Sequence, residues 1–192
     1  MLAVLIGLGA AVAAALFGLL YLTDMPGRSA NQQPAVSQGD QQTADRMRAS
    51  VEYLAGTIGG RSAGPKYENL KRSADWLSRR LTDAGYAPQR QQYEASGLSF
   101  ENIEAELRGS ANPDRVIVIG AHYDTAGGLP GANDNGSGVA AVLELASRFA
   151  AKPQKNTIRW VLFANEEPPW FQGPGMGSYV YARRCKERRE QI

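Results

Sequence analysis

Val116-Ile117-Val118-Ile119-Gly120-Ala121-His122-Tyr123-Asp124 decides the fold. Four consecutive β-branched residues form an apolar run with no alternation, the pattern of a strand covered on both faces. Trp160-Val161-Leu162-Phe163-Ala164 repeats that character. Between them, Gly138–Ala150 places Val139, Val142, Leu143, Leu145, Ala146 and Phe149 at helical spacing. A buried strand, a helix and a second buried strand predict a parallel α/β unit.

Working outward, Met47, Val51, Leu54 and Ile58 recur at helical spacing until Gly59-Gly60. Leu70, Ala74, Leu77 and Leu81 make a second stripe, closed by Gly85. Two segments near Arg90–Ala95 and Asn102–Leu107 read as strands, and in the second Ile103, Ala105 and Leu107 alternate with Glu104 and Glu106. Such alternation predicts one face in the core and one in solvent. A further helix is expected over Gly177–Arg189, and the folded part over residues 43–192, the size of one domain.

Met1–Leu22 has no charged or amide side chain. As a helix it would rise about 33 Å, close to the thickness of a bilayer's hydrocarbon core. A single transmembrane anchor is expected, with a cleaved signal peptide as the alternative; no Lys or Arg precedes the run, which argues against a signal peptide. The localisation that follows is a single-pass membrane protein with its folded part on the extracytoplasmic side, or a secreted or periplasmic protein. Thr23–Gln42 carries five Gln, two Pro, two Gly and no aromatic residue, the composition of a flexible linker.

Lys and Arg number 21 against 19 Asp and Glu, too even a balance for a nucleic-acid binder. The single Cys excludes an intrachain disulfide and any zinc site built from two thiolates. No Gly-x-Ser-x-Gly elbow, dinucleotide fingerprint or phosphate-binding loop is present.

Chemistry-bearing residues gather at three element ends: His122-Tyr123-Asp124 after the first buried strand, Gly131–Gly138 with Asp134 before the helix, and Asn165-Glu166-Glu167 after the second strand. In an open parallel sheet, sites form beyond the carboxyl ends of the strands, so these clusters should meet. One imidazole with four carboxylates suits a pair of divalent ions. His122 supplies a nitrogen ligand. Asp134, short and flanked by glycines, suits a bridging position. Asp124 is placed to accept the second ring N–H of His122 and fix its tautomer. Adjacent Glu166 and Glu167 divide into one ligand and one base for metal-bound water. Pro168-Pro169-Trp170-Phe171 is a candidate pocket wall.

At these residues, and in the Arg61…Gly64-Pro65 stretch and the strand entering at Asn102, residues 45–182 resemble the zinc-dependent exopeptidases of metallopeptidase family twenty-eight, mostly aminopeptidases, with glutaminyl cyclases as relatives. The resemblance implies a three-layer α/β/α sandwich with a mostly parallel sheet and two zinc ions. It assigns His122 to one ion, Glu167 to the other, Asp134 as the bridge, Glu166 as general base and Asp124 as the partner of His122. It also implies a cis peptide at Asp134–Asn135. The family pattern asks for a further carboxylate downstream and a second histidine, whereas this sequence has one His. A C-terminally incomplete member is therefore expected, with weak zinc binding and little turnover alone. The implied function is exopeptidase action on the N-terminal residues of a peptide substrate, with a non-catalytic peptidase-like ectodomain or glutaminyl cyclisation as alternatives.

Overall fold

The computed structural model describes residues 2–23 and 35–192, and side chains from Gly7 onward in the first stretch. The chain divides into two units, Met1–Val36 and Ser37–Ile192. The first holds helix α1, Leu2–Thr23. Its described side chains, among them Leu16, Phe17, Leu20 and Tyr21, are exposed. No helix among the described residues is long and apolar enough to cross a membrane, so the expected anchor is not established.

In the second unit, α2 runs Gln38–Glu52 and ends in a π-helical turn over Tyr53–Ile58. Most of the expected linker lies outside the described residues, but its last part is helical. Ser37 and Asp40 cap one another's backbone N–H groups and start α2 earlier than its apolar stripe indicates. Helix α3, Tyr67–Asp83, follows. Strands β1 (Gln89–Ala95), β2 (Leu98–Leu107), β3 (Asn112–His122) and β4 (Asn156–Phe163) form one sheet in the order β1-β2-β4-β3. Helix α4, Gly138–Phe149, connects β3 to β4, and α5, Gly177–Glu187, comes last.

The three layers are present. Ile158, Trp160 and Leu162 of β4 point into the larger core with Leu70, Leu77, Leu81, Val139 and Leu143. Val161 points the other way, against Tyr181 and Cys185 of α5. This is the two-residue period of a strand buried on both faces. Trp160 is fully buried, and its ring N–H donates to the Tyr86 hydroxyl, which donates to the Ala146 carbonyl. That chain ties β4 to α4.

Three expectations need correction. The sheet is mixed rather than mostly parallel: β3 pairs with β4 in parallel, but β1–β2 and β2–β4 are antiparallel. Ser96 and Gly97 both have positive φ, 48° and 77°, and close β1 onto β2 as a tight hairpin. Second, β3 is the end strand of this sheet, so Ile117 is 46% exposed while Trp160, Val161 and Leu162 are at 0%. Third, the polar side of β2 faces water only in part: Glu106 is exposed, but Asn102 is buried. Helix α5 covers Glu104, which is only 13% exposed beside Arg159 and Arg184.

Candidate metal centre

Parallel pairing of β3 with β4 puts His122 beside Phe163, so both strands deliver their following loops to one place. The Tyr123 N–H donates to the Phe163 carbonyl at 2.9 Å and continues the register past the strand end. After β4 the chain turns at Asn165, φ 58°, which is buried. The turn is anchored from behind by Asn102, whose amide oxygen accepts the Ala164 N–H and whose amide nitrogen donates to the Gly177 carbonyl.

Glu166 and Glu167 come next, and Asp124 sets their position. Its Oδ1 accepts the Glu166 N–H and its Oδ2 the Glu167 N–H, each at 3.0 Å. The same Oδ1 lies 3.4 Å from His122 Nδ1. That is long for a hydrogen bond, and this buried nitrogen has no other partner among the described residues. Asp124, itself buried, therefore braces the glutamate turn as well as facing the imidazole. The first of these tasks is a backbone contact across 42 residues, which no motif spacing reveals.

Asp134 arrives on the loop before α4. Gly131 has φ 57°, and a Cβ there would meet the Thr125 side chain and the Asp134 carbonyl. Glycine is required at this close approach. The Asp134–Asn135 peptide is cis, as the resemblance implies.

All five predicted residues converge. Donor atoms of His122, Glu166 and Glu167 lie within 4.8 Å of one another. His122 Nε2 is 3.0 Å from Asp134 Oδ1 and 3.7 Å from Glu166 Oε2. Asp134 is the outlying member, 72% exposed, and reaches the group through His122. Burial disfavours a charged His122, yet Asp124, Glu166 and Asp134 together raise its pKa. The Glu167 pKa is raised by burial and by the Asp134 carboxylate beside it. Among the described residues, no Lys or Arg pairs with any of the four carboxylates. Concentrated negative charge around one imidazole, with no Lys or Arg ion pair among the described residues, fits a divalent cation, and nitrogen with carboxylate oxygen is a donor set zinc accepts. A cavity of about 300 Å³ adjoins the centre, lined by Lys66, Asp124, Thr125, Glu167, Pro169 and Trp170. Pro168, Pro169 and Trp170 of the expected pocket wall border it, whereas Phe171 is exposed.

Comparison with known proteins agrees with this geometry. The family model described as Peptidase family M28 matches residues 102–191. The chain is similar to the uncharacterized protein YfbL of Escherichia coli, 36% identical over 72% of this chain and 44% of the relative. It is also similar to a probable zinc metalloprotease of Pyricularia oryzae, 34% identical over 64% of this chain and 29% of the relative. It thus spans less than half the length of these relatives. Among solved structures it resembles a zinc aminopeptidase from Bacillus subtilis, TM-score 0.60 and 13% identity, over 64% of this chain and 61% of that one. It also resembles a glutaminyl cyclase from Fimbriiglobus ruber, TM-score 0.62 and 21% identity, over 85% of this chain and 61% of that one. At such identities these two likenesses speak for the fold alone. With the strand-end cluster, the match over residues 102–191 assigns that stretch, from β2 to α5, to Peptidase family M28.

Proposed function

We propose that this domain is built to remove N-terminal residues from peptides with two zinc ions. The observation that carries the reading is the convergence of His122, Asp134, Glu166 and Glu167 beyond the paired ends of β3 and β4, with no Lys or Arg paired to them among the described residues. His122 would hold one ion, Glu167 the other, and Asp134 would lie between them. Bound zinc supplies Lewis acidity, polarising a carbonyl and making water easier to deprotonate. Glu166 is the proton acceptor: its carboxylate faces His122 and its backbone is fixed by Asp124. Asp124 faces the imidazole Nδ1, and Nε2 is directed at Asp134 and Glu166. The cavity beside Glu167 receives the peptide. The chain gives each ion two protein ligands where three are usual, so its own zinc affinity is expected to be weak.

Zinc titration of the wild type with Glu166→Gln and Glu167→Gln tests the reading. Glu166→Gln should keep the wild type's zinc uptake and abolish whatever hydrolysis of an aminoacyl anilide the wild type shows. Glu167→Gln should lose one of the two ions. A wild type that takes up no zinc at millimolar concentration refutes the proposal and favours a non-catalytic peptidase-like ectodomain. The second reading is glutaminyl cyclisation on the same site, in a fold that this chain shares with a glutaminyl cyclase. Cyclisation of an N-terminal glutaminyl peptide without anilide hydrolysis would select it.

The same proposal places the domain outside the cytoplasm, tethered by α1. The tether rests on the sequence of Met1–Leu22, which carries no charged or amide side chain. Co-flotation of the full chain with lipid vesicles, lost when α1 is deleted, checks the tether.

A further inference from the structure

Arg61 is fully buried, yet forms no ion pair among the described residues. Its guanidinium is spent on backbone carbonyls. Nε donates to Tyr123, one terminal nitrogen to Leu54, Gly59 and Pro130, and the other to Gly131, at 2.8–3.2 Å. Its backbone is equally engaged. The Arg61 N–H donates to the Thr125 hydroxyl and its carbonyl accepts the Thr125 N–H, both at 2.8 Å. Tyr123 and Thr125 flank Asp124. Pro130 and Gly131 open the loop that carries Asp134, and the Gly131 carbonyl also accepts the Gly136 N–H at 3.0 Å. One side chain therefore grips both loops that bring donors to the metal centre, and anchors them to the end of the π-turn.

We propose that Arg61 is a positioning residue that fixes the distance between the His122–Thr125 loop and the Gly131–Asp134 loop. The inference rests on reading the strand-end cluster as a metal centre. The chemistry explains why arginine serves here. Five N–H groups in a planar fork reach carbonyls in divergent directions, while a lysine offers three donors from one point. Desolvating a guanidinium is costly and pulls its pKa down to about 10, with the Asp124 charge opposing that fall. A fold that needed only core volume would place an aliphatic side chain at this position. The cost is matched by satisfying carbonyls that the two loops would otherwise bury unpaired.

Hydrogen exchange and zinc titration on the full chain test this, comparing the wild type with Arg61→Lys and with Leu77→Ala. Leu77 is buried in α3 and makes none of the Arg61 hydrogen bonds, so its truncation controls for general destabilisation. In metal-free protein, Arg61→Lys should speed exchange over 123–125 and 130–137 by about tenfold while α3 and β4 stay protected. Zinc binding should weaken by about tenfold or more in Arg61→Lys, and by no more than about twofold in Leu77→Ala. Uniformly faster exchange in Arg61→Lys, or equal zinc affinity in the two variants, overturns the inference. If Arg61→Lys does not fold, Thr125→Val, which removes the hydroxyl that accepts the Arg61 N–H, must give the same localised exchange or the inference fails. If the wild type binds no zinc, the metal reading fails separately, and the exchange pattern alone decides whether Arg61 couples the loops.

Discussion

Two acid-rich regions sit on this sheet, one beyond the ends of β3 and β4, the other on the face beneath α5. Beneath α5, Glu104, Glu106 and Glu190 meet Arg159 and Arg184. Arg159 is 2.9 Å from Glu106 and also pairs with Glu190, and Arg184 pairs with Glu104. At the strand ends, Asp124, Asp134, Glu166 and Glu167 face one imidazole. A carboxylate held by an arginine fork has its charge answered within the fold and serves structure. A carboxylate cluster without one is poised for a cation from solution. Composition counts the two sets alike; their surroundings separate them.

The contrast can be broken by experiment. The largest effect is expected from Arg159→Met, which strips the central cation from Glu104 and Glu190, both mostly buried, and should cost about 3 kcal/mol of stability in urea titration. Zinc affinity should not change, and a parallel loss of zinc would merge the two regions into one structural network. Next comes Glu167→Gln, with zinc affinity falling about a hundredfold, or roughly 2.7 kcal/mol. Its metal-free stability should equal or exceed that of the wild type. The raised Glu167 pKa means the folded chain takes up that proton more readily than the unfolded one, so stability declines as pH rises from the ordinary 4.5 through the folded value. Glutamine removes that decline; melts in chelator at pH 5 and pH 8 test the sign.

The smallest effect concerns acid. Burial works against a charged Glu190, but Arg159 and Cys185 outweigh it and the pKa is lowered. Glu190 therefore contributes stability that is complete above its ordinary 4.5 and lost as pH falls through the folded value. The contribution should be at most about 1 kcal/mol and show as faster exchange in α5 near pH 3 than near pH 6, after correction for intrinsic rates.

Much of the second unit was legible because its signals are local. The stripes Leu70–Leu81 and Val139–Phe149 fall within observed helices, and the run Trp160–Ala164 passes the end of β4 by one residue. The site clusters were legible because strand ends and glycine-rich loops mark themselves. Ser96-Gly97 carried a hairpin signal that the chain's parallel features obscured. Ile117 shows the limit of a β-branched run: it announces a strand but not its place in the sheet.

The sequence alone determined which residues could form a helix, a strand or a metal ligand, since these depend on spacing and side-chain chemistry within a few residues. Tertiary structure decided which carboxylates are neutralised. Glu104 and Glu167 look equally exposed in the chain, yet α5 brings Arg184 to the first, while Asp124 holds the second by its backbone and leaves its charge unmatched. Charge balance depends on neighbours brought together by folding across 43 residues in one case and 80 in the other, and no local pattern encodes such contacts.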